Sequence, residues 1–120
     1  MLSEFLVAVV EDDQNMRESL ESLLESTGYA VLLYSCGEDL LSSGRLRDIN
    51  CLISDIGLPG IDGIELLRLA HASRADLPVF IITASHKPSL LTAALNAGAR
   101  RVFLKPLDNA ALLNAIAAVL

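Results

Sequence analysis

Tryptophan is absent, and phenylalanine and tyrosine bring the aromatic share of the 120 residues to only 4%. With 52% of residues hydrophobic, the core must come from Leu, Ile, Val and Ala, which suits strands buried on both faces beneath helices. Cations are scarce too: 9 Lys and Arg stand against 15 Asp and Glu, for a formal net charge of −6. Phosphate contacts need clustered Lys or Arg, so this chain is a poor nucleic-acid binder by itself and a better host for a divalent cation. The two cysteines, Cys36 and Cys51, show neither a CxxC pattern nor metal spacing. Cys51 lies in an apolar run and reads as a small core residue, and Cys36 as a loop residue. No cationic segment opens the chain, and Ser3 and Glu4 interrupt its start, so no secretory signal is read. The apolar runs are too short to span a membrane. A soluble cytoplasmic protein of one domain, residues 1–120, is expected, long enough to bury a core without staples.

Phe5 to Val10 is a continuous apolar run that stops at Glu11-Asp12-Asp13, the pattern of a buried strand. The period then changes. Met16, Leu20, Leu23 and Leu24 share one helical face, with Asn15 expected as cap and Gly28 as stop. Ala30–Tyr34 is a second strand and Glu38–Leu41 a short helix. Strand three runs from Cys51 to Ser54 and helix three from Gly63 to His71. Strand four spans Pro78–Thr83, and Pro88 opens a helix that stops before Gly98. Arg101–Leu104 is strand five, and Asp108 caps a last helix reaching Leu120. Helices that alternate with strands mark βαβ units and a parallel sheet.

The chemistry collects at the strand ends. Glu11 and Asp12 end strand one, Asp55 follows strand three, Thr83 closes strand four and Lys105 follows strand five. Right-handed crossovers bring all of these carboxyl ends to one edge. In the flavodoxin-like order 2-1-3-4-5, strands one and three adjoin at the switch point, so Asp12 and Asp55 face one crevice. Three clustered carboxylates repel unless a cation neutralises them, and hard oxygen ligands with room for water suit Mg²⁺. A lysine and a hydroxyl opposite the metal form a clamp for a phosphoryl group, and a carboxylate can be the nucleophile of aspartyl-phosphate chemistry.

Five segments carry a resemblance: Val10-Glu11-Asp12-Asp13, Asp55 through Gly63, Ile82-Thr83-Ala84-Ser85, Ala97-Gly98-Ala99 and Lys105-Pro106. In this order and spacing the chain resembles, over nearly its whole length, the receiver domains of bacterial two-component response regulators. The resemblance implies a doubly wound five-stranded sheet flanked by five helices, and a switch that takes a phosphoryl group from a histidine kinase or phosphotransfer protein. It makes Asp55 the acceptor and Asp12 a direct Mg²⁺ ligand, with Glu11 binding mostly through water. Gly57 would offer its backbone carbonyl to the metal, Lys105 would pair with phosphate oxygens and Thr83 would close on the acyl phosphate. A cis Lys105–Pro106 bond is also implied. No enzymatic activity beyond self-phosphotransfer and slow dephosphorylation follows. Between a stand-alone protein and a receiver cut from a longer DNA-binding regulator, the second is expected.

Two departures stand out. Val102 occupies the family's switch-aromatic position, and strand alternation turns the neighbouring Phe103 to the other face. Leu107 replaces the usual aromatic after the proline. The remaining polar residues have plainer readings: His86 as a solvated loop residue, His71 as a cation suited to a helix end, Asp13 and Asp62 as helix-start residues. Arg100 and Arg101 read as a solvated edge. The fourth and fifth helices carry almost no charge, so the edge they flank is expected to be apolar and to meet a second copy or an output domain. Rival classes fail on pattern. A haloacid-dehalogenase-type phosphatase needs a second Asp two residues after the nucleophile that follows strand one, and a flavin or dinucleotide binder needs a glycine-bearing loop there. A degenerate receiver acting only as an interaction module is the alternative.

Overall fold

The computed structural model describes residues 4–119. Five strands, β1 (Leu6–Val10), β2 (Ala30–Tyr34), β3 (Cys51–Asp55), β4 (Val79–Thr83) and β5 (Arg101–Leu104), alternate with helices. The helices are α1 (Gln14–Ser26), α2 (Gly37–Ser42), α3 (Gly63–Ser73), α4 (Pro88–Asn96) and α5 (Asn109–Ala117). All strand pairs are parallel, in the order β2-β1-β3-β4-β5, so the expected doubly wound architecture is the observed one.

The strands are apolar along most of their length because each face of the sheet has its own helical cover; Ser54, Asp55 and Thr83 stand at the carboxyl ends and Arg101 at the start of β5. Val7, Val9, Cys51, Ile53, Phe80 and Ile82 pack with Leu20 and Leu24 of α1 and with Leu112 and Ile116 of α5. The alternate residues Ala8, Val10, Leu52, Val79 and Ile81 pack with Leu40 of α2, Leu66, Leu67 and Ala70 of α3, and Ala94 of α4. Among the described residues, Phe80 is the one fully buried aromatic ring, and the other large, fully buried side chains are Leu and Ile. Each such side chain contributes roughly 1.5–3 kcal/mol on burial. Cys51 is fully buried in β3, and burial pushes its thiol up to about 12, which leaves it inert as a nucleophile.

The start of α1 corrects one expectation. Asp13, not Asn15, is the cap: its backbone is extended (φ −79°, ψ 115°) and its Oδ1 accepts from the amides of Asn15 at 2.9 Å and Met16 at 3.4 Å. Asn15 already lies inside the first turn, where its amide is one of the donors that needs a partner. Asp62 and Asp108 do the same for Glu65 (2.8 Å) and Ala111 (3.1 Å). Asp13→Ala is therefore expected to cost about 1 kcal/mol, read as a lower urea midpoint at unchanged slope; an unchanged midpoint would remove the cap from the account. At the other end of α1, Gly28 takes φ +93°, a left-handed turn that stops the helix as expected.

The last helix also differs from expectation. Its helical bonding ends at Ala117, and Leu120 falls outside the described residues. Nor does its apolar character make it buried all round. Leu112, Ala115 and Ile116 face the core, while Ala110, Asn114 and Ala117 face outward. Small side chains let a helix look apolar in sequence while showing little apolar area. The exposed large residues on this side are Leu95 of α4 (52% exposed) and Leu104 of β5 (36%).

Candidate functional site at the carboxyl edge of the sheet

Register alone brings the expected residues together. Val10 lies beside Ser54, Asp55 beside Ile82, and Thr83 beside Leu104. The residues just past these pairs, Glu11 and Lys105, therefore flank Asp55 and Thr83 at one end of the sheet. Lys105 completes the edge by donating its backbone amide to the Thr83 carbonyl at 2.8 Å.

The side chains form a charged knot. The Lys105 Nζ donates to Glu11 Oε1 at 2.7 Å and to Asp55 Oδ2 at 3.1 Å. Glu11 is fully buried and its Oε2 also accepts from the Asp13 amide at 3.1 Å. Burial pushes the Glu11 carboxyl above its ordinary range; the Lys105 hydrogen bond opposes that, and the nearby Asp55 charge adds to it. For Lys105, burial works against the charged form, yet the bonds to Glu11 and Asp55 outweigh it and hold the ammonium above its usual value. Asp55 is nearly buried, Asp12 is exposed, and Thr83 is buried with its Oγ accepting from the Ser85 amide at 3.0 Å. That contact leaves the Thr83 hydroxyl proton free to be donated to an incoming oxygen.

Glu11, Asp12 and Asp55 each offer an oxygen, and the three lie within 4.8 Å of one another. Three carboxylates and one ammonium leave two formal negative charges, the complement of one divalent cation. All donors are hard oxygens, which select Mg²⁺ over a thiophilic metal. Gly57, two residues past Asp55, is exposed on the loop before α3, and its carbonyl accepts no backbone hydrogen bond among the described residues. The residues present thus fit the metal expected from sequence. The Lys105–Pro106 bond is cis, as the resemblance implied.

Other candidates fall outside the knot. Asp13 and Asp62 are caps, and His86 is an exposed loop residue. His71, near the end of α3, has its Nε2 2.9 Å from the Leu77 carbonyl. Val102 and Phe103 point to opposite faces. Phe103 packs on Phe80 at 6.0 Å between centroids, under the Arg101 guanidinium at 4.6 Å, so it cannot stand in for the missing aromatic at position 102. Leu107 is half-buried against the α1–α5 side.

Two contributors were not foreseen. Arg17 Nη1 binds the carbonyls of Glu11 (2.8 Å) and Asp12 (3.1 Å), pinning the acidic turn from α1. An exposed-looking Arg on a helix gives no sequence signal for that. Gly63 is needed because a Cβ there would run into the Asp55 carbonyl; its place at the first position of a helix carries no sequence signal of that contact.

An open parallel sheet with three acids and a lysine gathered at its carboxyl end is the arrangement of a receiver of the two-component kind. The family model for the response regulator receiver domain matches residues 7–117, and the chain belongs to that family. It is 38% identical over 114 residues to the transcriptional regulatory protein FixJ of Azorhizobium caulinodans, covering 95% of this chain and 54% of that protein. With the response regulator MprA of Mycobacterium leprae it shares 34% over 114 residues, covering 95% and 50%. The chain thus spans about half the length of these curated relatives. A CheY-like receiver domain protein from Methanospirillum hungatei superposes with a TM-score of 0.89 at 29% identity, covering 97% of this chain and 93% of that one.

Proposed function

We propose that this chain is a phosphorylation-controlled receiver, residues 1–120, that takes a phosphoryl group on Asp55 from a histidine kinase or phosphotransfer protein and passes the signal to a transcriptional output. The observation that carries the reading is the Lys105 ammonium bridging Glu11 and Asp55: a cation already stands where charge on a transferring phosphoryl would spread. Glu11, Asp12, Asp55 and the Gly57 carbonyl would hold a Mg²⁺ ion, which when bound offsets negative charge on the phosphoryl oxygens. An Asp55 carboxylate oxygen attacks phosphorus as the P–N bond of the phosphohistidine breaks, and the leaving imidazole takes up a proton. Lys105 pairs with a phosphoryl oxygen, and the Thr83 hydroxyl donates to another. Reset follows when water attacks phosphorus, releasing inorganic phosphate and the free carboxylate. Catalysis here is positioning and electrostatics, with no further substrate turned over.

Leu95 and Leu104 mark the α4–β5 side as the surface that would meet a second copy or an output domain. Val102 leaves the aromatic half of the switch unfilled, which is the observation favouring a phosphorylation-independent interaction module. Intact mass after incubation with acetyl phosphate and Mg²⁺ separates the two: one labile phosphoryl, not formed when EDTA is present from the start, supports the switch, and no adduct under any condition supports the module.

Metal binding gives a second readout. Mg²⁺ at ten times its dissociation constant is expected to stabilise the fold by about 1.4 kcal/mol, since only the folded state gathers the ligands. Asp12→Asn should lose most of that gain while keeping the metal-free melting temperature. Equal Mg²⁺ stabilisation of both proteins would remove Asp12 from the ligand set.

A further inference from the structure

The loop from Ile56 to Asp62 carries Gly57, and it is braced from outside as well as from within. Internally, the amides of Leu58 (3.0 Å) and Gly63 (2.9 Å) both donate to the Ile56 carbonyl. Externally, the first turn of α2 docks on it. The Ile61 amide donates to Glu38 Oε2 at 3.0 Å, across 23 residues of sequence. A Cβ on Gly60 would run into the same carboxylate, and a Cβ on Gly37 would press on Ile61 Cδ1 at 3.0 Å. Backbone and carboxylate are thus in close register at successive residues.

We infer that Glu38 is a positioning residue: it holds the loop so that the Gly57 carbonyl faces the carboxylate cluster. The inference rests on the proposal that Gly57 is a metal ligand. Glu38 touches neither the metal cluster nor Asp55; it acts only through the Ile61 amide and the chain between. The partner is the ionised carboxylate, because the Ile61 N–H holds Glu38 below its ordinary range. The bond is solvent-exposed, so its loss should loosen the loop without unfolding the sheet.

A Mg²⁺ titration followed by amide NMR shifts tests this on four proteins. Glu38→Ala is expected to weaken Mg²⁺ binding by about three- to tenfold, at or below the low end for loss of an outer partner of a metal site. Glu38→Gln keeps an acceptor for the Ile61 amide and should bind within about twofold of the wild type, because a neutral acceptor still satisfies that donor. Asp39→Ala removes a neighbouring first-turn charge of α2 that has no bond to the loop, and should leave affinity unchanged. If Glu38→Ala binds as the wild type does, the inference fails. If Gln or Asp39→Ala weakens binding as much as Glu38→Ala, net charge is the cause and the inference again fails. A wild type that binds no Mg²⁺ would instead overturn the underlying metal proposal.

Discussion

Asp55→Asn is expected to abolish phosphoryl uptake from acetyl phosphate and from a phosphorylated histidine kinase, with no adduct by intact mass at any Mg²⁺ concentration. The reason is chemical. The amide oxygen is a far weaker nucleophile than a carboxylate, and no other acid can take its place. Glu11 is fully buried with both oxygens engaged, by Lys105 and by the Asp13 amide. Asp12 is exposed at the rim, outside the reach of the Lys105 ammonium, whose side-chain bonds go to Glu11 and Asp55. The fold should survive the change. Asn is nearly isosteric, and removing one of three clustered acids relieves repulsion on Glu11, whose carboxyl the Asp55 charge pushes up. A stability equal to or above that of the wild type is expected, measured by urea unfolding in EDTA. Residual uptake at a comparable rate would move the acceptor elsewhere.

Lys105→Met carries the second large effect, on stability and on transfer together. It leaves Glu11 buried without its cation. Removal of one partner from a fully buried pair costs about 3–5 kcal/mol, and the 23% exposure of the Lys105 side chain lowers the expectation here to roughly 1–3 kcal/mol. The pH dependence has a definite sign. The Glu11 carboxyl is already raised in the folded state, and loss of the lysine raises it further. A carboxyl whose folded value exceeds its unfolded value holds its proton better in the native state. The variant's deficit is thus greatest at neutral pH and above, and narrows as pH falls toward the ordinary carboxylate range, about 4–5. In the wild type, the raised lysine contributes stability that is present below its ordinary value and lost as pH rises through its folded one. Phosphoryl uptake should slow by about tenfold to a hundredfold, less than for a donor in a water-excluded oxyanion hole. A deficit relative to the wild type that is the same at pH 5 and pH 8 would contradict the unpaired, buried Glu11 charge as its cause.

Much of this was legible in the chain because a parallel sheet writes its own signature. Strands with apolar runs such as Val79–Ile82 need cover on both faces, and the acids and lysine at the ends of the first, third and fifth strands need the open edge. The site followed from strand order, since register carries Glu11, Asp55, Thr83 and Lys105 to one end whatever the intervening loops do. What sequence did not carry lies in contacts between elements distant along the chain. Arg17 reaches back to two carbonyls and Glu38 reaches a loop amide 23 residues on; both look like ordinary solvated helix charges. The α1 cap was misplaced by two residues because three consecutive polar side chains, Asp13, Gln14 and Asn15, all suit a helix start, and backbone geometry decides between them. Residue type also says little about how much apolar area Ala-rich α5 exposes once folded.

The most direct measurement is to locate the phosphoryl group itself. The wild type is loaded with acetyl phosphate and Mg²⁺, reduced with borohydride, which converts an aspartyl phosphate to homoserine, and mapped by peptide mass spectrometry. Homoserine at position 55 alone, absent when EDTA accompanies the phosphodonor, is the predicted result. Homoserine at position 12 or 62, or no conversion in a protein that has gained a phosphoryl, would contradict the assignment of Asp55.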